Sequence, residues 1–187
     1  MKTNSDQLLA CVRIWACTIA VCSIAYPLSI WGIGQGLTPF TANGSLLTNA
    51  DGQIVGSRVL SQSFTSANYF WPRPSAVDYN AASTGGSNLS PLNPVLKDRV
   101  ADFQSRHGES TDPIPADLVT ASGSGMDPDI TLEAALFQVE RVAAARGMDP
   151  GIVKQIVEGK ARRPGGPFTP DSLVNVLEIN MALDGQG

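Results

Sequence analysis

The sequence predicts an α+β protein carried on one membrane-spanning helix, and three observations predict it. Residues 14–33 form a run of twenty without a single charge. After that run come short β-type pieces separated by turn residues. The C-terminal half then places its apolar residues at helical spacing. Strand and helix signals mixed within one stretch of ordinary domain length suggest a single α+β domain after the span.

The apolar run sets the rest. At ~1.5 Å per residue, a helix of this length reaches ~30 Å, about one hydrocarbon core. Lys2 and Arg13 precede it, and the next basic residue is Arg58. Basic flanks favour the cytoplasmic side, so residues 1–13 are expected inside and residues 34–187 outside. Arg13 suits the inner boundary, where a long side chain snorkels to the headgroups, and Trp31 suits the outer one. Pro27 removes a backbone donor and should kink the helix, its freed carbonyl best tolerated against a neighbouring helix. A cleaved signal peptide is the competing reading, because Ser23-Ile24-Ala25 has small residues at peptidase spacing. The run continues through Ile33, however, beyond the ~7–15 residues of a signal core. Leu8-Leu9-Ala10-Cys11 resembles a lipobox, but the seven residues before it include Asn4, Ser5, Asp6 and Gln7 and offer no apolar region. A retained helix is expected.

In the rest of the chain, Ile54-Val55 and Arg58-Val59-Leu60 read as strands, with Asp51-Gly52 as a hairpin tip. From Tyr69 to Pro94 the chain is irregular and rich in Pro and Gly. Tyr69, Phe70, Trp71 and Tyr79 argue that it is nevertheless ordered, since they offer large apolar area to bury. Asn93 caps a helix that starts at Pro94, with Val95, Leu96, Val100 and Phe103 on its apolar stripe. Asp117 to Ala121 reads as a short buried strand. Thr131 caps one long helix carrying Leu132, Ala135, Leu136, Val139 and Val142, and Gly147 stops it. Asp149-Pro150 starts another, with Ile152, Val153, Ile156 and Val157 inward. The last segment, Leu173 to Leu183, suits a helix with Leu173, Val176, Leu177 and Asn180 on one face. Its β-branched content keeps a strand open.

Chemistry is sparse. Residues 34–187 carry eleven basic against sixteen acidic side chains, net −5, which argues against nucleic acid or anionic lipid as main partner. Cys11, Cys17 and Cys22 all lie in or beside the span, so the domain has no thiol for a disulfide or a thiolate metal site. His107 is the only histidine; it reads as a surface residue and excludes a multi-histidine metal site. No P-loop pattern is present. Gly123-Ser124-Gly125 imitates a nucleophile elbow, but Ser122 and Met126 stand where glycines are needed. Lys97, Lys154 and Lys160 fall on helix surfaces, which disfavours a Ser-Lys dyad. Met126-Asp127-Pro128-Asp129 is either a cation site or, the favoured reading, a turn capped by its carboxylates. Gly86-Ser87-Asn88-Leu89 likewise suits a loop held by side-chain to backbone bonds. An anchored binding or accessory module is the reading composition supports. An anchored extracytoplasmic hydrolase is the rival, lacking a visible activated nucleophile.

An ordered set of strings resembles one family. Ala42-Asn43-Gly44-Ser45-Leu46, Gln62-Ser63-Phe64, Tyr69-Phe70 with Arg73-Pro74-Ser75-Ala76, and Gly85-Gly86-Ser87-Asn88-Leu89 come first. Leu118 through Asp127, the helix bearing Gln138, Arg141 and Arg146, and Val174-Asn175-Val176-Leu177-Glu178 with Asn180 complete it. Together they resemble KdpC, the C subunit of the Kdp potassium-transporting P-type ATPase. The resemblance implies an accessory subunit in a bacterial inner membrane, single-pass, with a periplasmic domain. It implies a KdpA-like K⁺-translocating partner, a KdpB-like ATPase partner and a KdpF-like small peptide. It also implies an assembly role and that of a catalytic chaperone raising ATP affinity. ATP and K⁺ are then handled by the complex, with no cofactor bound by this chain. Because ATP is cytoplasmic and the domain is expected outside, any effect on ATP is expected to travel through the complex. Under this reading, Arg73, Ser75, Ser87, Asn88, Thr120, Ser122, Ser124 and Asp127 are the candidate subunit-contact or binding residues, with no catalytic or metal-binding residue among them.

Overall fold

The computed structural model describes residues 4–108, 110, 112–168 and 170–185. Lys2, one of the two basic residues that set the expected orientation, lies outside them. The chain forms two compact units, Met1–Ser45 and Leu46–Gly187.

In the first unit one continuous helix spans Asn4–Leu37, 34 residues, longer than the uncharged run. It consists of α1 (Asn4–Ile19), a π-helical turn (Ala20–Ala25) and α2 (Tyr26–Leu37). The π turn ends two residues before Pro27. Proline has no N–H to return to the carbonyl of Ser23, and the Tyr26 N–H reaches back five residues to the carbonyl of Val21. None of the helix's residues is buried, which fits a surface made for lipid or for other helices. A short helix α3 (Pro39–Ala42) folds back at its end, and Asn43 exchanges side-chain hydrogen bonds with Gln35.

The second unit mixes helix and strand. Strands β1 (Leu46–Thr48) and β2 (Ile54–Ser57) form an antiparallel hairpin in which Leu46 faces Ser57 and Thr48 faces Ile54, with an irregularity after Leu47. Its tip contains Asp51-Gly52, closed by the Gly52 N–H to the carbonyl of Asn49 and by the Gln53 N–H to Asn49 Oδ1. The expected strand at Arg58-Val59-Leu60 is instead a turn. Ser57 causes it: its carbonyl accepts from Leu60 N–H and its hydroxyl from Val59 N–H.

Helix α4 (Pro94–His107) starts at Asn93, whose side chain accepts from the Val95 N–H. Only Phe103 of its stripe is fully buried; Val95 is exposed. The expected strand at Asp117 to Ala121 is a 3₁₀ turn, Ala116–Leu118. Here the Thr120 N–H and hydroxyl both return to the carbonyl of Ala116, and Asp117 is drawn away to accept from the Thr131 N–H.

The core is assembled around two strand–helix units. Strand β3 (Asp129–Thr131) leads into α5 (Leu132–Phe137) and α6 (Val139–Arg146); β4 (Leu173–Asn175) leads into α8 (Val176–Asp184). The two strands pair antiparallel about Ile130 and Val174, both fully buried. Each strand ends in a capping side chain: Thr131 accepts from Ala134 N–H, and Asn175 from Glu178 N–H. The last segment is thus strand and then helix. The single helix expected after Thr131 is broken at Gln138, whose side chain is buried and engaged elsewhere. Gly147 stops α6 in the left-handed conformation, φ 65°. Helix α7 (Pro150–Lys160), capped by Asp149, buries Val153 and Val157 but leaves Ile152 exposed, so its inward face is narrower than the periodicity suggests. Phe70, Trp71, Phe103, Val142, Ile179 and Leu183 complete the core.

Candidate functional site

Residues 66–71 lack regular structure, yet each of their six carbonyls accepts a side-chain donor. Trp71 Nε1 donates to Ser66 O, Arg141 to Ala67 O and Tyr69 O, and Arg146 Nε to Asn68 O. Asn180 Nδ2 donates to Phe70 O, and Gln138 Nε2 to Trp71 O. The same two carboxamides accept from the Phe70 and Trp71 N–H groups, both at 2.8 Å. Helices α6 and α8 thereby do for this segment what a neighbouring strand would do, and at Phe70 and Trp71 they satisfy backbone groups that burial would otherwise strand. The Arg141 guanidinium lies 3.7 Å from the Trp71 ring centre and that of Arg106 lies 4.8 Å away. Burial first, and the nearby Arg106 second, push Arg141 down to about 10, still charged near neutrality.

Beyond this anchor the chain between Arg73 and Asn88 is tied to the turn at residues 120–127. The Ser122 N–H donates to Pro74 O at 3.2 Å and the Gly85 N–H to Ser124 O at 2.9 Å. Ser75 is the hub. Its hydroxyl donates to Gly125 O at 2.7 Å and accepts from the N–H groups of Val77 and Tyr79. Arg73 Nη1 meets Asp127 Oδ2 at 3.3 Å, and its Nε lies 3.9 Å from Asp117. Arg73, a candidate subunit contact, therefore has acidic partners within the chain. Asp127 Oδ1 accepts from the Asp129 N–H, and the Ser124 hydroxyl from the Met126 N–H, so both side chains brace the turn.

This connection holds unusual backbone. Asp78 and Tyr79 are consecutive left-handed residues, φ 51° and 57°, and Asn88 has φ 50°. A tyrosine in that region is strained, and such residues persist where surroundings over-determine them. Here the Tyr79 hydroxyl donates to Arg73 O, and burial raises its pKa. Gly125, φ 70°, allows the close approach: a Cβ there would stand 2.6 Å from Val77 Cγ2 and 2.9 Å from Gly85 O.

Of the eight candidate residues, Arg73, Ser75, Ser122, Ser124 and Asp127 belong to this network. Ser87, Asn88, Thr120 and Ser122 line a cavity of about 350 Å³ with Leu89, Pro91, Leu96 and Ala121. Sequence reasoning did not single out Gln138, Asn180 or Arg141 as functional. The available signal was a carboxamide on an otherwise apolar helical stripe, which demands a buried partner. His107, expected at the surface, is half-buried, its ring 5.2 Å from Phe103 and 4.7 Å from Phe137, in the wall of a cavity of about 720 Å³. Burial, then the charge of Arg141, lowers its pKa. Among the described residues no group of three or more His, Cys, Asp or Glu is placed to hold a metal ion.

Comparison with known proteins agrees with the resemblance carried by these strings. A family model described as KdpC, K⁺-transporting ATPase, c chain, matches residues 8–185. A potassium-transporting ATPase KdpC subunit from Parvibaculum lavamentivorans is 46% identical over 180 residues, covering 96% of both chains. Those from Burkholderia orbicola and Methanosphaerula palustris are 44% and 42% identical, each covering 98% of this chain and 97% and 100% of the relative. The chain belongs to the KdpC family, the c chain of the K⁺-transporting ATPase.

Proposed function

We propose that this chain works from outside a bacterial inner membrane, supporting assembly of a K⁺-transporting ATPase and coupling its K⁺-translocating and ATP-hydrolysing parts. Its N-terminus lies in the cytoplasm, α1 and α2 cross the bilayer, and residues 34–187 form a periplasmic domain. The partners are a KdpA-like channel subunit, a KdpB-like ATPase and a KdpF-like peptide. Family membership across residues 8–185 is the observation that carries the reading. The apolar helix with no buried residue, charged only toward its N-terminal end, supports the anchor and its direction.

ATP and K⁺ are bound by the partners, and the chain's influence on ATP affinity passes through the assembled complex. The hydrolase alternative has no observation in its favour, because Ser124 sits in a turn with its hydroxyl bonded to Met126 N–H. The connection from Arg73 to Asn88 and the turn from Thr120 to Asp127 form the contact surface of this reading. Omitting the chain from the purified complex tests it. K⁺-stimulated ATP hydrolysis should fall and should return when the full chain is restored by co-expression. Full assembly and activity without the chain would contradict the proposal.

A further inference from the structure

Helix α4 is held to the rest of the domain through few groups. Of its 14 residues only Phe103 is fully buried. The Phe103 ring meets Trp71 edge-on at 5.7 Å and Phe137 at 6.2 Å. One turn on, His107 stacks on Phe103 at 5.2 Å and reaches Phe137 at 4.7 Å. Arg106, paired with Asp102 on the same helix, adds its contact over Trp71. An ionisable ring thus belongs to the aromatic cluster that docks the C-terminal half of the helix.

His107 Nε2 is sealed from solvent, and among the described residues it has no hydrogen-bond partner. In an imidazolium both ring nitrogens carry N–H groups, so this one would become a buried donor without an acceptor on a charged ring. Arg141, from α6, acts on the ring as a second cation, and α5 presents the uncharged Phe137. The connection after α4 presents Ser110 and Ile114 beside it, while Glu109 lies outside the described residues. Burial first and Arg141 second lower the His107 pKa, and hydrogen bonding to the backbone at Phe137 and Gly108 opposes them. The C-terminal end of α4 also favours a cation, but by less than an unaccepted buried donor costs. Alongside lies the cavity of about 720 Å³, to which Gln104, Ser105 and Ser110 contribute polar wall, so a ring leaving the cluster has polar space to enter.

We propose that this cluster is an acid-sensitive latch: protonation of His107 releases the C-terminal half of α4 from Trp71 and α5 while the core around α7 and α8 stays folded. The released state binds the proton more readily, because its imidazole is solvated. The latch is therefore closed well above the ordinary 6.5 and opens as pH falls below that value and through the lowered pKa of the docked ring. A single buried side chain on α4 makes its release the cheapest opening of the domain in this region. Under the proposed periplasmic placement, the titrating group meets the pH of the cell's surroundings. The latch itself does not require that placement, so it can fail or hold independently of the subunit role.

The test uses the full chain in detergent, with Trp15→Phe and Trp31→Phe so that Trp71 alone fluoresces. Trp71 is 5% exposed, and release of α4 uncovers it. Its quenching by acrylamide should rise at least about twofold between about pH 7.5 and pH 5, reversibly. Amides of α7 and α8 should stay protected from hydrogen exchange over the same range, which separates release from unfolding. His107→Gln, which cannot titrate, should keep quenching low throughout. His107→Arg, permanently charged, should show the acid value already at about pH 7.5. Should His107→Arg unfold the domain, His107→Gln and His107→Phe decide, since both keep the cluster uncharged and both should abolish the acid transition. Quenching that stays flat in the unmodified chain would overturn the proposal. An acid rise that survives in His107→Gln, or that coincides with loss of protection in α7 and α8, would overturn it as well.

Discussion

At the residue scale, two carboxamides anchor the segment that leads into the proposed contact surface. Gln138 and Asn180 each satisfy both backbone groups of one residue, Trp71 and Phe70, in the core. Gln138→Ala should leave a buried N–H and carbonyl unmet and cost about 2–4 kcal/mol, read as a lower denaturation midpoint of the full chain in detergent. Asp127→Asn should behave differently. It weakens a partly exposed ion pair, worth about 1 kcal/mol or less, and retains the Oδ1 bond to Asp129. The assembled complex carrying it should keep K⁺-stimulated ATPase activity within about twofold, because the ion pair is internal to the domain. His107 adds a pH dependence. Its folded pKa lies below the ordinary 6.5, so the unfolded chain binds its proton more readily. This group is neutral in both states well above 6.5 and contributes no pH dependence there. As pH falls below that value the unfolded state is favoured, and the loss levels off below the folded pKa. His107→Gln should flatten stability against pH over that acid window.

At the element scale, the long connection after Tyr69 is held by hydrogen bonds without being regular, and the reason is legible only in part from sequence. Its aromatic residues announced burial, and Phe70 and Trp71 are indeed buried. Helix starts were readable because Asn93, Thr131 and Asp149 carry their own capping chemistry. Strand β3 was not, and β4 was readable only as a strand kept open within the last segment, since three residues show no periodicity and their pairing joins segments over forty positions apart. Nor was the break at Gln138, which long-range bonds to Trp71 impose. Two glycines in one turn give a sharp test of rigidity. Gly125→Ala puts a Cβ against Val77 and Gly85 O at positive φ and should loosen the loop, seen as faster proteolysis between Arg73 and Asn88. Gly123→Ala, with open space at its Cβ, should be silent.

At the scale of the whole molecule, the uncharged run becomes one helix from Asn4 to Leu37 with a π turn before Pro27, and the domain that follows is a separate compact unit. The candidate residues drawn from the family strings converge on one connected surface, although their spacing along the chain gives no hint of it. Bonds between Pro74, Ser75 and Gly85 on one side and Ser122, Ser124 and Gly125 on the other bring them together. That surface serves a K⁺ transporter as proposed only if it lies outside the membrane. The direct measurement introduces Lys154→Cys, an exposed position on α7 away from the proposed contact, after replacing Cys11, Cys17 and Cys22 by serine. Intact spheroplasts containing the assembled complex are treated with a membrane-impermeant maleimide. Labelling of the intact cells, unchanged by lysis, is the predicted result; labelling that appears only after lysis would contradict the account.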